Sequence, residues 1–355
     1  MLASKRLKSR SVLAMSCLAA ASLVLCNGSA KAASPLADSS SSVQLYGLIG
    51  VYVDQSKLST TPHGMVQQGG GGLTTSYWGM RGREDLGNGT AVIFALESFF
   101  RPNTGQMGRN PSDGFFARNA YVGLSSVAYG TLKVGQQTTG TYLHQILLNP
   151  FGPSVVFSPL IVQSYMAAYN GTAIGDTVWS NTIGYTSPSF AGLTGNVQYG
   201  VSDVTGHQGR DNLGLHLTYK NGPLLVALSA QRVRAAAIAP AQQQYLYLGG
   251  ATYQTRFAKF YGALQTTNTT TLGIGSHTYE LGVSVPVSPR ASVLAEWALT
   301  KQSGPRQKNT VRDTTSIAYD YFFSKRTDVY AAYSYDKLAS NPSGSTYGIG
   351  MRHRF

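Results

Sequence analysis

Three carboxylates and two arginines are the residues of this sequence whose types and spacing suit chemistry. Glu280, Glu296 and Asp320 recur at alternate positions of neighbouring extended stretches. In a closed cleft such a group would supply a general acid and its base. Arg81 and Arg83 stand two residues apart in YWGMRGRED, so an extended backbone puts Tyr77, Arg81, Arg83 and Asp85 on one face and Trp78 and Met80 on the other. That face attracts anions but brings no nucleophile. H-E-x-x-H, G-x-S-x-G and G-x-x-x-x-G-K-[ST] do not occur, and the run Gly69 to Gly72 lacks the lysine of a phosphate cradle. The six histidines are scattered. We therefore expect no metal, no cofactor and no catalysis, and read the carboxylates as ordinary ionised groups in water.

Faces of this kind need strands. After residue 33 no apolar stretch approaches the ~20 residues that a membrane helix requires, whereas stretches of about ten residues alternate with a period of two. In 277–287, Tyr279, Leu281, Val283, Val285 and Val287 alternate with Thr278, Glu280, Gly282 and Ser284. Stretches 43–54, 212–220, 291–300 and 314–323 follow the same rule. Short connections at 87–89, 127–130, 187–192, 221–222, 256–258, 288–289 and 324–326 alternate with longer polar ones at 55–73, 101–114, 138–176, 203–210, 235–242, 267–276, 303–311 and 338–344. Eight long and seven short connections demand sixteen strands. An even, antiparallel set that is apolar outside and polar inside is a transmembrane β-barrel with short periplasmic turns and long extracellular loops. On this reading Asp85, Glu97, Glu280, Glu296 and Asp320 face the lumen as its acidic side. In the closing TYGIGMRHRF, Tyr347, Ile349, Met351, His353 and Phe355 alternate with Arg352 and Arg354. The last strand must pair with the first, because an open edge in lipid leaves backbone groups unsatisfied, and Phe355 is expected to serve closure and assembly.

Residues 1–32 have the layout of a secretory signal. Lys5, Arg6, Lys8 and Arg10 precede a mostly apolar run, and Ala30-Lys31-Ala32 offers a cleavage site. Both cysteines, Cys17 and Cys26, lie in that segment, so the remainder has no thiol for a disulfide, thiolate metal site or cysteine nucleophile. The chain has 28 basic and 15 acidic residues; without the five basic residues of the leader, 23 remain against 15, a net charge of +8. The basic residues form no run, which argues against a nucleic-acid partner.

Five segments, in order, resemble the Gram-negative general porins of the beta-proteobacterial group: SSVQLYGLIG, WGMRGREDLGNGTAVIFALESFF, FFARNAYVGLSSVAYGTLKVGQQ, NTIGYTSPSFAGLTGNVQYG and GIGMRHRF. The resemblance spans nearly all of 33–355. It implies a homotrimer of water-filled barrels in the outer membrane, with the third long loop folded into the lumen opposite a basic wall. It places Arg118 beside Arg81 and Arg83 on that wall. Tyr77 stands where the family usually has arginine, and Gln136 where a glycine-arginine pair is usual; both are expected at the constriction. The third loop supplies only Asp176, at its end. These departures imply a weakly anion-preferring pore, or one suited to neutral solutes.

The expected molecule is thus all-β, a single barrel domain over 33–355 that passes ions and small hydrophilic solutes passively. Its expected partners are outer-membrane lipid, lipopolysaccharide and the barrel-assembly machinery. The alternative is a barrel acting mainly as adhesin or receptor through its surface loops, which would have a plugged lumen.

Overall fold

The computed structural model describes residues 41–201, 211–235, 242–305 and 307–355. The expected leader, 1–32, lies outside them. Among the described residues sixteen antiparallel strands form the wall: β1 Ser42–Lys57, β2 Tyr77–Gly87, β3 Thr90–Arg101, β4 Asn119–Ser126, β5 Gly130–Thr138, β6 Val178–Thr186, β7 Leu193–Gly200, β8 Asn212–Asn221, β9 Leu224–Ala235, β10 Gln242–Gln254, β11 Lys259–Thr269, β12 Ile274–Ser288, β13 Ala291–Gly304, β14 Gln307–Phe322, β15 Thr327–Leu338 and β16 Gly344–Arg354. Each pairs with the next, and β1 pairs with β16 from Leu48 opposite Arg354 to Lys57 opposite Ser345, which closes the ring.

The registers confirm the alternation. Leu45 lies opposite Met80 and Val53 opposite Ile349, all exposed on the outward face, while Gln44 opposite Arg81 turns inward. Two of the expected long loops are tight turns. Thr267 pairs with Ser276 and Thr269 with Ile274, so 267–276 is mostly strand, and Gly304 lies opposite Gln307 within the expected loop 303–311. Their polar residues look like loop in sequence, yet they continue the hydrogen-bond ladder above the apolar band.

The seam is bonded to the last residue. Phe355 N donates to Gly47 O and Gly47 N to Phe355 O, each at 3.1 Å. A Cβ on Gly47 would lie 2.6 Å from both the Phe355 ring and the Tyr77 carbonyl, so only glycine lets the ring lie flat there. Deleting Phe355 leaves these two Gly47 groups unpaired in an apolar setting and is expected to cost about 2–3 kcal/mol. Urea titration of detergent-refolded barrel measures this, and Gly47→Val should reproduce it; unchanged midpoints in both variants would remove Phe355 from closure.

One stretch of wall departs from regular pairing. The upper half of β1 pairs with a loop strand, Met65–Gly70, and β2 starts only at Tyr77. Between them residues 71–76 leave the wall and fold inward. Gly71 and Gly72 have φ of +101° and +80°, and a Cβ on Gly72 would collide with the Tyr330 hydroxyl. Ser76 Oγ fills the gap in the ladder, accepting from Gly50 N at 2.9 Å and donating to Gly50 O at 3.1 Å. Leu73 is thereby buried inside the barrel with Tyr52, Phe151, Phe157, Leu294, Ala318, Tyr330 and Ala332. The apolar core lies within the lumen, between the third long loop and the wall.

Candidate functional site

The third loop, 139–177, is helical where its sequence allows. Thr139 caps α1 (Gly140–Leu147), and Ser158 caps α2 (Pro159–Tyr165), whose first residue is proline. Both helices are too short to stand alone; the wall holds them. Gly140 N donates to Gln198 Oε1 on β7 at 2.7 Å. His144 binds Ser229 Oγ on β9 through Nδ1 at 2.7 Å and Thr218 Oγ1 on β8 through Nε2 at 2.9 Å. Burial pushes the His144 pKa down to about 4, so the neutral ring holds this joint.

Further along, buried amides pair loop with wall. Gln145 Nε2 donates to Gln265 Oε1 at 2.6 Å, and Gln163 Nε2 donates to Thr314 Oγ1 at 2.8 Å and to Ala298 O at 3.0 Å. Gln244 Nε2 donates to Thr172 O at 2.8 Å. Such amides are inconspicuous in sequence, since a polar residue on a lumen face is expected anyway. A large ring completes the docking: Phe157 is fully buried, edge-on to Tyr52 and Tyr330 with centroids 6.4 and 6.3 Å away.

Of the acids expected to form the acidic side of the pore, Glu97, Glu280, Glu296 and Asp320 are on lumen faces but buried, while Asp85 is exposed. Glu296, 2% exposed, accepts from Ser158 Oγ at 3.0 Å and Leu160 N at 2.8 Å, so it serves as the seat of α2. Glu280, also 2% exposed, sits one strand away beneath the loop, near Pro150. Asp320 is bound by Arg352 at 3.1 Å, and the same guanidinium reaches Asp328 at 2.7 Å. The expectation of three water-exposed carboxylates facing the arginines is therefore corrected: loop and salt bridges cover them. Asp85, near the periplasmic turn, accepts from Gly87 N at 2.9 Å and caps that turn. Asp176 is taken up by Arg109 at 2.6 Å.

The basic residues stand on the remaining arc, formed by the lower half of β1 and by β2 to β5. Gln44 opposite Arg81, Arg81 opposite Ala95 and Ala95 opposite Tyr121 form one cross-strand row on the lumen face. Arg81 is exposed; its Nε and Nη2 donate to Gln44 Oε1 at 3.0 and 2.8 Å, and its guanidinium lies 4.8 Å from the Tyr46 ring centroid. Arg83, one pleat nearer the periplasmic turn, is exposed too. Arg118 precedes β4 at a bend, where strand parity no longer applies. Its guanidinium turns inward onto Glu97 at 2.5 Å and stacks 4.1 Å from the centroid of Tyr77. Glu97 also accepts from the Tyr46 hydroxyl and from Asn119 Nδ2, so its charge is spoken for.

Two placements differ from the sequence reading. Gln136 lies opposite Ala120, on the outward face shared by Val122 and Val134, and donates to Phe116 O at 2.7 Å. Gln137, of the same parity as Lys133, is the inward amide and donates to Lys133 O and Thr182 O. The residue missed on the inner wall is Lys133. It shares a cross-strand row with Arg83 through Ile93 and Gly123, and its ammonium lies 4.5 Å from the Tyr121 ring centroid. Counting by twos from Leu132 and Val134, both outward, would have found it.

The arrangement is a tube whose lumen is narrowed by one docked loop, with four cations on the arc that the loop leaves to solvent. No group of three or more histidine, cysteine, aspartate or glutamate residues able to hold a metal occurs among the described residues.

Comparison with known proteins gives a consistent picture. A family model described as Gram-negative porin matches residues 19–340. An outer membrane porin protein of Bordetella pertussis is 30% identical, with 90% of this chain and 96% of that one covered. Among solved structures, an anion-selective porin from Comamonas acidovorans superposes with a TM-score of 0.77 at 24% identity, covering 89% of this chain and all of that one. An outer membrane protein of Vibrio cholerae, in trimer form, does so with a TM-score of 0.69 at 14% identity, covering 89% of this chain and all of that one.

Proposed function

The chain belongs to the Gram-negative porin family, and from that premise we propose that its outer-membrane channel favours small anions among the hydrophilic solutes that diffuse through it. Passive diffusion needs only a wetted lumen and a gradient. The observation that supports selectivity is the one-sided charge at the narrowed level. Arg81, Arg83, Arg118 and Lys133 share the uncovered arc. Glu280 and Glu296 lie beneath the loop, and Asp320 and Asp176 are paired with arginines. Charges of one sign lining a passage concentrate the opposite ion and repel their own.

The anion-selective porin of Comamonas acidovorans, similar in fold, agrees with this assignment. Glu97, through Arg118, and the exposed Asp85 near the turn offset part of the arc, so the preference is modest. The same covering of Glu280 and Glu296 keeps them from acting on a solute, in line with a channel and not a catalyst. In this reading three copies assemble, as in the trimer form of the Vibrio protein. Residues 1–32 direct export, and Phe355 presents the closing strand to the assembly machinery.

The experiment is single-channel recording from purified protein in a planar bilayer under a KCl gradient. Large open steps with a zero-current potential of the chloride-selective sign are expected. Large steps with a cation-selective potential would overturn the selectivity. Absence of steps from folded protein would overturn the channel itself.

A further inference from the structure

Two cations that the narrowed level does not use lie at the periplasmic ends of β8 and β11. Lys220 pairs with Leu225, which packs inside the barrel against the cluster of Leu148, Ala227 and Leu246, so Lys220 faces the lumen. Lys259 stands two residues before Tyr261, and Tyr261 pairs with Gly282, whose inward side meets Pro150 of the third loop. Lys259 shares that inward face. The wall holds both in place. Lys220 N donates to Gly192 O at 2.9 Å, and the Lys259 ammonium lies 4.6 Å from the Tyr261 ring centroid. Lys220, Leu225, Thr252 and Tyr261 form one cross-strand row, so the two lysines stand three strands apart, ~14 Å along the wall.

Their level follows from distance to the turns. Arg81 precedes Gly87 by six residues, and Gly282, where Pro150 touches the wall, precedes Ser288 by six. Lys220 and Lys259 each lie within one residue of a turn. The difference of five residues is ~17 Å of strand and ~13 Å of height at a tilt of about 40°. The lysines therefore line the periplasmic vestibule, below the narrowing. Neither takes part in an ion pair among the described residues. The turns beside them, 187–192, 221–223, 255–258 and 288–290, are all described and contain Arg256 and Arg290 but no acid.

A charge at a mouth is screened by the salt on its own side of the membrane. At 0.1 M the screening length is ~10 Å, and the lysines act across the vestibule; at 1 M it is ~3 Å, and their reach ends close to the wall. Cations at the narrowing meet a mixture of both solutions, whichever way the gradient runs. Resting on the channel reading above, we propose that Lys220 and Lys259 are further selectivity residues, a second anion-attracting station that strengthens the chloride preference only when the periplasmic side is dilute. Ring charges of one sign raise the local concentration of the opposite ion. The vestibule thus enriches anions before they reach the arginine arc from the periplasm.

The test uses the full mature protein carrying Leu272→Cys in the extracellular turn between β11 and β12. Both native cysteines lie in the leader, so this is the one thiol, and a membrane-impermeant label applied from one chamber reports the orientation of the channel. The zero-current potential of an oriented channel is read with 0.1 M KCl on the periplasmic side and 1 M on the other, then with the solutions exchanged. Lys220→Gln with Lys259→Gln should lower the chloride-to-potassium permeability ratio about threefold in the first arrangement and leave it unchanged in the second. Lys220→Glu with Lys259→Glu should lower it about tenfold, again in the first arrangement alone. Conductance in symmetric 1 M KCl should stay at the parent value, which shows that each variant is folded and open. A ratio that neither pair changes in the first arrangement, or that falls equally in both, would overturn this inference and leave the channel and its arc standing. A parent without open steps, or with a cation-selective potential in both arrangements, would overturn the channel reading and this inference with it.

Discussion

Phe157→Ala is expected to loosen the third loop while leaving the barrel closed. Its ring is fully buried against Tyr52, Tyr330 and Leu73, and it fills the space that Gly348 leaves, where a Cβ would approach to 2.7 Å. Removing a buried phenylalanine costs about 3–5 kcal/mol. Little of that falls on the wall, whose strands are held by their own ladders. It falls on docking of the loop between α1 and α2, because Phe157 links this stretch to β1, β15 and the inward residues near Leu73. The other anchors, His144 on β8 and β9 and Gln163 on β13 and β14, remain. The outcome should therefore be partial release. At about 3 kcal/mol, open excursions become roughly a hundredfold more frequent. Single-channel traces should show frequent subconductance transitions, and protease should cut within 150–157 only in the variant. Resistance of the barrel to unfolding in SDS on heating should change little. Quiet traces with an uncut loop would show that polar anchors alone fix it.

Strand positions and faces were legible because their cause is local. Each residue meets either lipid or lumen, and the requirement repeats every second position, as at Tyr279, Leu281 and Val283. Connection type was legible where the turns are glycine-rich, as at Asn88 and Gly89. It failed at 267–276 and 303–311, because a polar strand above the apolar band and a polar loop have similar compositions. Alternation also says which face a residue takes and nothing about what lies over it. Glu280 and Glu296 were correctly assigned to the lumen face and wrongly to water, since the loop that buries them is more than a hundred residues away in sequence. Gln136 failed for a different reason. Position by analogy ignored the parity of Leu132 and Val134, which sends Gln136 outward and leaves Gln137 as the inward amide. The inward stretch 71–76 had only its glycines as a signal, and those read equally well as a flexible rim.

The wall arginines were assigned by two routes of unequal strength, and the variant that tests them should follow the stronger. Arg81 and Arg83 are inward by parity and exposed. Arg118 is inward through a bend and neutralises Glu97, so its removal would strand a mostly buried carboxylate and confuse selectivity with stability, at a cost of about 3–5 kcal/mol. The informative change is Arg81→Gln with Arg83→Gln. A unit charge about 6 Å from a passing ion in water contributes roughly 0.7 kcal/mol, and 0.1 M salt about halves it. Losing two such charges raises the barrier for chloride and lowers that for potassium by about 0.7 kcal/mol each. Together these shift the chloride-to-potassium permeability ratio about tenfold. The zero-current potential should move toward potassium and approach zero, because Arg118 is already matched by Glu97 and the remaining Lys133 is offset by the exposed Asp85. Conductance should change little, as glutamine is the smaller side chain. Raising KCl toward 1 M, where the screening length falls to ~3 Å, should collapse the difference between variant and parent. A potential that is the same in both proteins at low salt would mean that the ion path does not run along this arc, and the filter would then have to be sought among the extracellular loops.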